Sequence, residues 1–430
     1  MKRGYLLGGV AALVGGVAVY FAAAHPDPVP VPVPAPVVPA PAPLSTTVWT
    51  VDNITELVPV APPRQSTVAR PIPANPAYDT ALQVLGTVVE EYAGDPDNPW
   101  AVAHGLLART ANFRLTDGRE AVPHLFATYA EPRPVGTLAL VGFPASRGPI
   151  RIEPHTDLLL KSMGEVGVPP DATFPTSGGT ASIADLYRYT LLKTFLVIEG
   201  SRTNFDGPND MPWGLQALAQ WAPPGELQWI AQDGSPMDLD ALASFTVAVL
   251  TKESAFLFAA MQKGQTFTRQ GQGLFTYTCG GAHLLQGASY AIARGYGTAK
   301  DRKAIEAQVP LMFYRLPIEL AVYEDAMRRQ PKYKTKLLVQ RMKFLGHFLE
   351  TMSKMQAMGL YTPDDAQLLA LEGAAQNLTL TVDALRKQGT FDALPALRKT
   401  DEQLYLDVIG DSAHAIRGLE MALGRGTIGW

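Results

Sequence analysis

The chain of 430 residues has one cysteine, Cys279, so it can form no internal disulfide. It contains no Gly-x-Ser-x-Gly elbow, no phosphate-binding P-loop, no His-Glu-x-x-His and no dinucleotide fingerprint, which leaves the chemistries those motifs carry without sequence support. Charged residues are 18% of the total, the formal net charge is -4 and the pI is near 6.0. No basic stripe marks nucleic acid as a partner. Beyond residue 24 there is no second uncharged apolar run of comparable length, so at most one membrane crossing is expected.

What is abundant is proline, 36 residues of it, much of it near the start. Lys2 and Arg3 precede residues 5–24, an uncharged apolar run of about twenty residues, long enough to cross a bilayer as a helix. Ala22-Ala23-Ala24 before His25 also satisfies the small-residue rule for signal cleavage, so residues 1–24 read as a signal peptide or an uncleaved anchor. In either case the remainder is expected outside the cytoplasm, because the positive charges stay on the cytoplasmic side. From Pro26 to Pro43 proline alternates with valine and alanine. Fixed φ and missing donors make that an extended spacer, reaching about 55 Å at about 3.1 Å per residue. Residues 25–76 as a whole are assigned to a Pro-rich linker, whose looser second part, 44–76, drapes over the following domain or stays disordered. The globular domain is 77–430.

Across that domain apolar residues recur at three- and four-residue spacings, in 77–92, 100–110, 155–166, 182–198, 239–263, 282–294, 303–309, 310–329, 334–358, 363–388 and 400–423. Candidate N-caps are Asp97, Thr180, Asp238 and Thr362. Only 137–143 and 149–152 read as strands, one small hairpin at most, so the class is all-α. Four segments that start a helix or fall early in one share a pattern of a small or aromatic residue, a polar His or Gln, and a small or apolar step that includes leucine. They lie around Trp100/His104, Trp213/Gln216, Cys279/His283/Gln286 and Asp411/His414. Equivalent starts separated by helical material are what a ring of helical hairpins produces, with the polar residues lining a shared mouth.

Two segments carry a resemblance to a family. Leu227-Gln228-Trp229-Ile230-Ala231-Gln232-Asp233-Gly234-Ser235 looks like the loop after an inner helix, and 279–287 looks like a zinc-bearing inner helix start. In these the chain resembles the α/α-toroid proteins, which include terpenoid cyclases, protein prenyltransferases and lanthionine cyclases. It departs from them in having no Asp-x-Asp-Asp run, a single Asp-Gly-Ser turn without its following tryptophan, and no second cysteine. The resemblance implies an architecture, an α/α-toroid-like array of helical hairpins, and no activity.

The chemistry is read from side chains. Cys279 and His283 are four apart and would share one helix face as ligands for zinc; the alternative is a packed core position. His104 and His414 would converge from other hairpins, with Asp411 as ligand or supporting carboxylate. A second constellation is acidic: Glu153 and Asp157 flank His155, and Asp210 lies near Trp213. Paired carboxylates beside aromatic platforms suit glycoside cleavage or sugar binding, although carboxylates also serve as caps. The Gly-rich stretch 176–180 is read as a turn and cap, and the basic stretch 332–343 as a solvated helix face. The expectation is an exported, membrane-tethered helical enzyme acting on a cell-envelope small molecule, glycan or protein, by metal-assisted hydrolysis if Cys279 and His283 bind zinc. The candidate catalytic carboxylates are Glu153, Asp157, Asp210 and Asp411; the pocket residues are Trp100, His104, Trp213, Gln216, Gln286 and His414. The alternative is a non-catalytic scaffold or ligand-binding module. A convergent polar pocket would favour the enzyme, and a solid apolar centre the scaffold.

Overall fold

The structure is a computed structural model that describes residues 48–54, 60–197, 202–207, 209–223 and 227–430. The apolar run 5–24 and the proline-rich stretch 26–43 lie outside the described residues. The chain is mainly helical. Its helices are α1 (Pro76–Val88), α2 (Pro99–Arg109), α3 (Ala121–Tyr129), α4 (Leu158–Glu165), α5 (Ile183–Lys193), α6 (Met211–Trp221), α7 (Leu239–Gln262), α8 (Ala282–Arg294), α9 (Ala299–Arg329), α10 (Lys334–Ala357), α11 (Asp365–Lys387), α12 (Leu394–Thr400) and α13 (Glu402–Ala422).

Burial sorts them into two layers. Helices α4 and α6 are buried at every residue, as are α8 from Ala282 to Ile292 and the second half of α10 from Leu345 onward. Much of α2 and α13 is buried in the same way. By contrast α1, α7, α9 and α11 bury one stripe each and expose the rest, as outer helices do. The buried helices are neighbours in chain order: α2 packs on α4, α4 on α6, α6 on α8, α8 on α10, α10 on α13, and α13 returns to α2.

Local chemistry starts these helices, at positions close to those expected. Asp238 caps α7, accepting from the backbone N–H of Asp240 and Ala241. For the other three, Asn98, Ser182 and Asp364 take the role instead of Asp97, Thr180 and Thr362, and Ser182 forms a reciprocal capping box with Asp185. The helical stretches 303–309 and 310–329 are a single helix, α9, with Pro310 and Pro317 inside it. Each proline forfeits a backbone bond, but buried Ile305, Val309, Leu311, Met312 and Leu316 hold α9 against its neighbours.

The expectation of at most one hairpin is corrected. The strands are β1 (Val48–Trp49), β2 (Gln65–Ser66), β3 (Glu131–Val135), β4 (Leu138–Gly142), β5 (Ser146–Arg147), β6 (Ile150–Arg151), β7 (Thr173–Thr176), β8 (Gly179–Ser182), β9 (Leu196–Val197), β10 (Arg202–Thr203), β11 (Gln228–Ile230), β12 (Pro236–Asp238) and β13 (Ile428–Gly429). β4 and β6, the two expected strands, pair with β3 and β5 and not with each other. β7 with β8, β9 with β10, and β11 with β12 form further short ladders. Gly136, Gly148 and Gly234 turn three of these hairpins at positive φ, which a strand of only two to five residues does not advertise in its hydrophobic pattern.

Residues assigned to the linker also belong to the body. β1 lies parallel to β11, β2 pairs with β13 at the far end of the chain, and Trp49, Ile54, Val68 and Ile72 are buried. The packed body therefore includes residues from Val48 onward that the linker assignment sets apart. Helix α7 is long and apolar enough to cross a membrane by length and composition, despite Asp240, Lys252 and Glu253, and it packs on α6, α8 and α9.

The crossing of α10 and α13 in the inner layer is one of close backbone approach. A Cβ placed on Gly418 would stand 2.6 Å from the Gly346 carbonyl oxygen, and one on Gly346 would stand 2.9 Å from the Ala415 nitrogen. Both obstacles are backbone, so Gly418→Ala is expected to destabilise the protein by about 1–3 kcal/mol. Gly373→Ala, on the outer helix α11 with nothing within 4 Å, is the matched control and should stabilise by about 0.5–1 kcal/mol. Urea unfolding of both variants checks the contrast; equal effects would show that the crossing has slack.

Candidate functional site

The buried layer surrounds a cavity of about 840 Å³. Of the seven histidines in the chain, His104, His155, His283, His347 and His414 line it. They form a nearly continuous ring contact. Trp100 and His104 lie 4.1 Å apart, His104 and His414 5.3 Å, His414 and His347 4.0 Å, and His347 and His283 5.0 Å, centroid to centroid. Trp213 is sandwiched between His283 at 4.4 Å and His155 at 4.1 Å.

Backbone geometry delivers Cys279 to this cavity by an unexpected route. Cys279 is not on α8. It opens a run of three left-handed residues, Cys279 (φ 54), Gly280 (φ 62) and Gly281 (φ 83), immediately before the helix. Two glycines take that conformation readily, whereas a cysteine in it carries a cost of about 1–2 kcal/mol. The turn and not an i, i+4 face therefore brings the thiol beside His283. Cys279, His283 and His347 each offer a ligand atom, and these atoms lie within 4.8 Å of one another. Around a tetrahedral zinc such atoms would be about 3.3–3.7 Å apart.

The donor set fits a soft cation. His283 Nδ1 and both ring nitrogens of His347 are buried without a hydrogen-bond partner. Burial, reinforced by the neighbouring imidazoles, pushes His283 and His347 well below the ordinary histidine range, so both are neutral. His104 is pushed to about 3 by burial and by His414. Burial pushes the Cys279 thiol up to about 12, so a cation binding there would displace its proton. His347, Glu350 and His414 form a second close group sharing His347, but there Glu350 is already engaged. It accepts from His414 Nδ1 at 2.7 Å and pairs with Lys354 at 2.7 Å.

Beneath the cavity that pair continues as a buried chain of charges. Lys354 reaches Glu165 at 2.8 Å, and Glu165 reaches Lys161 at 2.7 Å. Gln216 donates to Glu165 at 2.7 Å, and Gln286 accepts from Lys354 at 3.1 Å while donating to Thr351 at 2.8 Å. Burial alone would raise both carboxyls, but the lysines outweigh it, holding Glu165 at about 2 and Glu350 well below the carboxylate range.

The residues expected to form the site divide into three groups. Trp100, His104, Asp210, Trp213, Cys279, His283, Asp411 and His414 line the one cavity. Gln216 and Gln286 lie below it, in the charge network. Glu153 and Asp157 do not line it: Glu153 accepts from the Leu159 N–H at 2.8 Å at the start of α4, and Asp157 pairs with Lys193 at 2.6 Å and accepts from Thr190 at 2.8 Å. Asp210 accepts from the Thr156 N–H at 2.7 Å, and Asp411 faces Lys343 at 3.6 Å. Lys343, read as part of a solvated face, lines the cavity and pairs with Asp407 at 3.1 Å. Stretch 176–180 is the β7–β8 hairpin turn, and Asp233-Gly234-Ser235 is the β11–β12 turn, where Asp233 pairs with Arg202 at 3.1 Å. His347, Glu350, Lys354, Lys161 and Glu165 were missed. Their signal was available as ionisable residues three, four or seven apart inside otherwise apolar helices. No protein-family model, curated protein or solved structure matches this chain.

Two outcomes follow from the electrostatics. Lys354→Met leaves two buried carboxylates without their shared cation and should cost about 3–5 kcal/mol, part of it regained when Glu165→Gln is added; unfolding free energies of the single and double variants test this. Burial, opposed by Lys193, holds Glu153 up to about 8 against an ordinary 4.5. The folded state then keeps a proton that the unfolded chain has lost, so this contribution is complete below about pH 4.5 and disappears as pH rises to about 8. Wild type should lose stability relative to Glu153→Gln across that window, and parallel pH profiles would contradict the assignment.

Proposed function

We propose that this is an exported, membrane-tethered enzyme of α/α-toroid type that acts on a cell-envelope molecule by metal-assisted hydrolysis. The observation that carries the reading is the convergence of the half-buried Cys279 with the buried His283 and His347, whose ring nitrogens include three without a hydrogen-bond partner, at the wall of an open cavity. Three protein ligands beside open space are the arrangement of a catalytic zinc site, which keeps a coordination position free, and not of a closed structural one. The toroid reading draws support from the return of the buried helices, α2 through α13, to their starting neighbour. Export and tethering draw support from Lys2, Arg3 and the apolar run that follows.

An ion in that set would polarise a carbonyl or phosphoryl oxygen and make a water more acidic. The remaining roles fall to the chain. His414, with Nδ1 turned to Glu350, keeps Nε2 as the acceptor of its ring, and its ring lies 4.0 Å from that of His347. It is placed to take a proton from an attacking water, with Glu350 fixing the tautomer. Trp213, clamped between two histidines, keeps His283 from turning away. The paired-carboxylate alternative has less support, because Glu153 and Asp157 are committed to backbone and lysine partners outside the cavity.

Elemental analysis of protein purified reduced and without chelator should find about one zinc per chain. Cys279→Ala and His347→Ala should lose it, and His104→Ala, outside the ligand set, should keep it. Metal-free wild type, or retention in both ligand variants, would overturn the reading in favour of a non-catalytic ligand-binding module.

A further inference from the structure

Behind Cys279 lies a second recess, of about 160 Å³. Cys279 and Lys343 line both it and the main cavity, so they form the partition between the two. Its other polar walls include two guanidinium groups, Arg269 and Arg315, with Glu319, Tyr277, Tyr323 and Gln340. Arg315 is buried in mid-α9, bonded through Nε to Glu319 at 2.8 Å and through Nη2 to the Gly280 carbonyl at 3.2 Å. Arg269 approaches the same Glu319 at 3.4 Å, and its Nη1 donates to the Tyr323 hydroxyl. Both guanidinium groups stand over the Phe275 ring, at 5.0 Å and 5.4 Å from its centroid.

The charged side chains that line the recess are Arg269, Arg315 and Lys343 against the single carboxylate of Glu319. Both guanidinium groups pair with Glu319, and Lys343 is matched by Asp407 and Asp411, which line the main cavity and not the recess. The Arg315 Nη1 group finds only the Met312 sulfur, at 3.6 Å, a weak acceptor that leaves a strong donor underused. Guanidinium groups fixed by packing on a ring and by a shared carboxylate are preorganised for a planar or tetrahedral oxyanion. The Gly280 and Gly281 turn that carries Cys279 is held to this recess by the Arg315 bond, so the recess and the ligand set share one piece of backbone.

We propose that this recess binds the anionic group, a carboxylate or a phosphate, of the substrate whose reacting bond lies over Cys279, His283 and His347. The inference rests on the hydrolase reading for its substrate and adds a class to it: an oxyanion-bearing molecule, with the anion on the Arg269 and Arg315 side of the thiol. Arg269, partly open to solvent, is the anion's first contact; Arg315 is its inner anchor.

The test is calorimetric titration of inorganic phosphate, and separately of acetate, into the full chain, both chelator-treated and zinc-loaded. Arg269→Gln, Cys279→Ala and His347→Ala are titrated alongside, and circular dichroism of each variant confirms folding. Arg269 is chosen over Arg315 because its partly exposed side chain makes removal tolerable. Expected is binding of at least one anion to the chelator-treated protein, weakened at least tenfold by Arg269→Gln and unchanged within about twofold by His347→Ala. Stronger phosphate than acetate binding would assign the phosphate class, and the reverse the carboxylate class. Binding that needs zinc and vanishes in His347→Ala would place the anion on the metal and overturn the recess, as would no binding, or binding indifferent to Arg269→Gln. Wild type that takes up no zinc on loading yet binds anion through Arg269 would sink the hydrolase reading and leave the recess standing, so the two failures are distinguishable.

Discussion

A buried chain of charges, Lys161 to Glu165 to Lys354 to Glu350 to His414, holds the inner layer of this protein together. Its members stand on α4, α10 and α13, and the amides that satisfy it, Gln216 and Gln286, stand on α6 and α8. Five of the inner helices thus meet in one hydrogen-bonded network, and α2 joins through the ring contact of His104 with His414. Ionic contacts of this kind add little net stability over apolar packing, because the desolvation of each charge offsets most of its attraction. What they impose is register. A helix displaced by one turn would strand a charge in a water-poor interior, so each helix has one acceptable setting relative to its neighbours. The glycines at the α10–α13 crossing serve the same end, since only backbone contact at Gly346 and Gly418 brings Glu350 within reach of His414.

This division of labour explains which parts of the fold could be read in advance. Helices longer than about ten residues announce themselves through apolar spacing, and nearly all the long ones fall where that spacing puts them. The two layers are harder to see, because a helix buried on every side loses the amphipathic stripe that marks its orientation. Met211-Pro212-Trp213-Gly214-Leu215, which begins α6, illustrates this: it is apolar all round and was visible only as a recurring helix start. The hairpins were illegible for a different reason. Strands of two to five residues are too short for an alternating pattern, and their pairing is set by glycine turns and by distant partners, as when Gln65 and Ser66 find Gly429 and Ile428.

The site was legible as residue types and not as geometry. Cys279 and His283 were selected because helix spacing would align them, yet the left-handed turn ahead of α8 is what aligns them. The third member, His347, was hidden by its surroundings: the lysines and arginines of 328–343 give the start of α10 the look of a solvated face, and the helix becomes fully buried only from Leu345. Reading the helix in steps of three and four exposes the stripe: Lys343, His347, Glu350 and Lys354 lie on one side, amid Leu345, Phe348, Leu349 and Met352. A similar stripe runs along α13 as Asp407, Asp411, His414 and Arg417. Two polar stripes on helices that are otherwise apolar can only face each other, and between them they outline the cavity.

Within the inner layer, polar groups are treated unequally. Glu165, Glu350, Lys161 and Lys354 are ion-paired, whereas the ring nitrogens of His347 and one of His283 make no hydrogen bond, His347 Nδ1 standing 3.6 Å from Glu350. Leaving a buried donor or acceptor unmade costs about 1–3 kcal/mol each. A chain that can satisfy four buried charges has the means to satisfy two imidazoles, and the left-handed Cys279 adds a further backbone cost at the same spot. These costs coincide in space, at the point where the cavity meets its second recess. A bound cation would satisfy one ring nitrogen of each imidazole and offset the backbone cost at Cys279. Local strain and missing bonds at one spot, which a single ligand would relieve in part, are the physical ground on which the metal-site proposal rests.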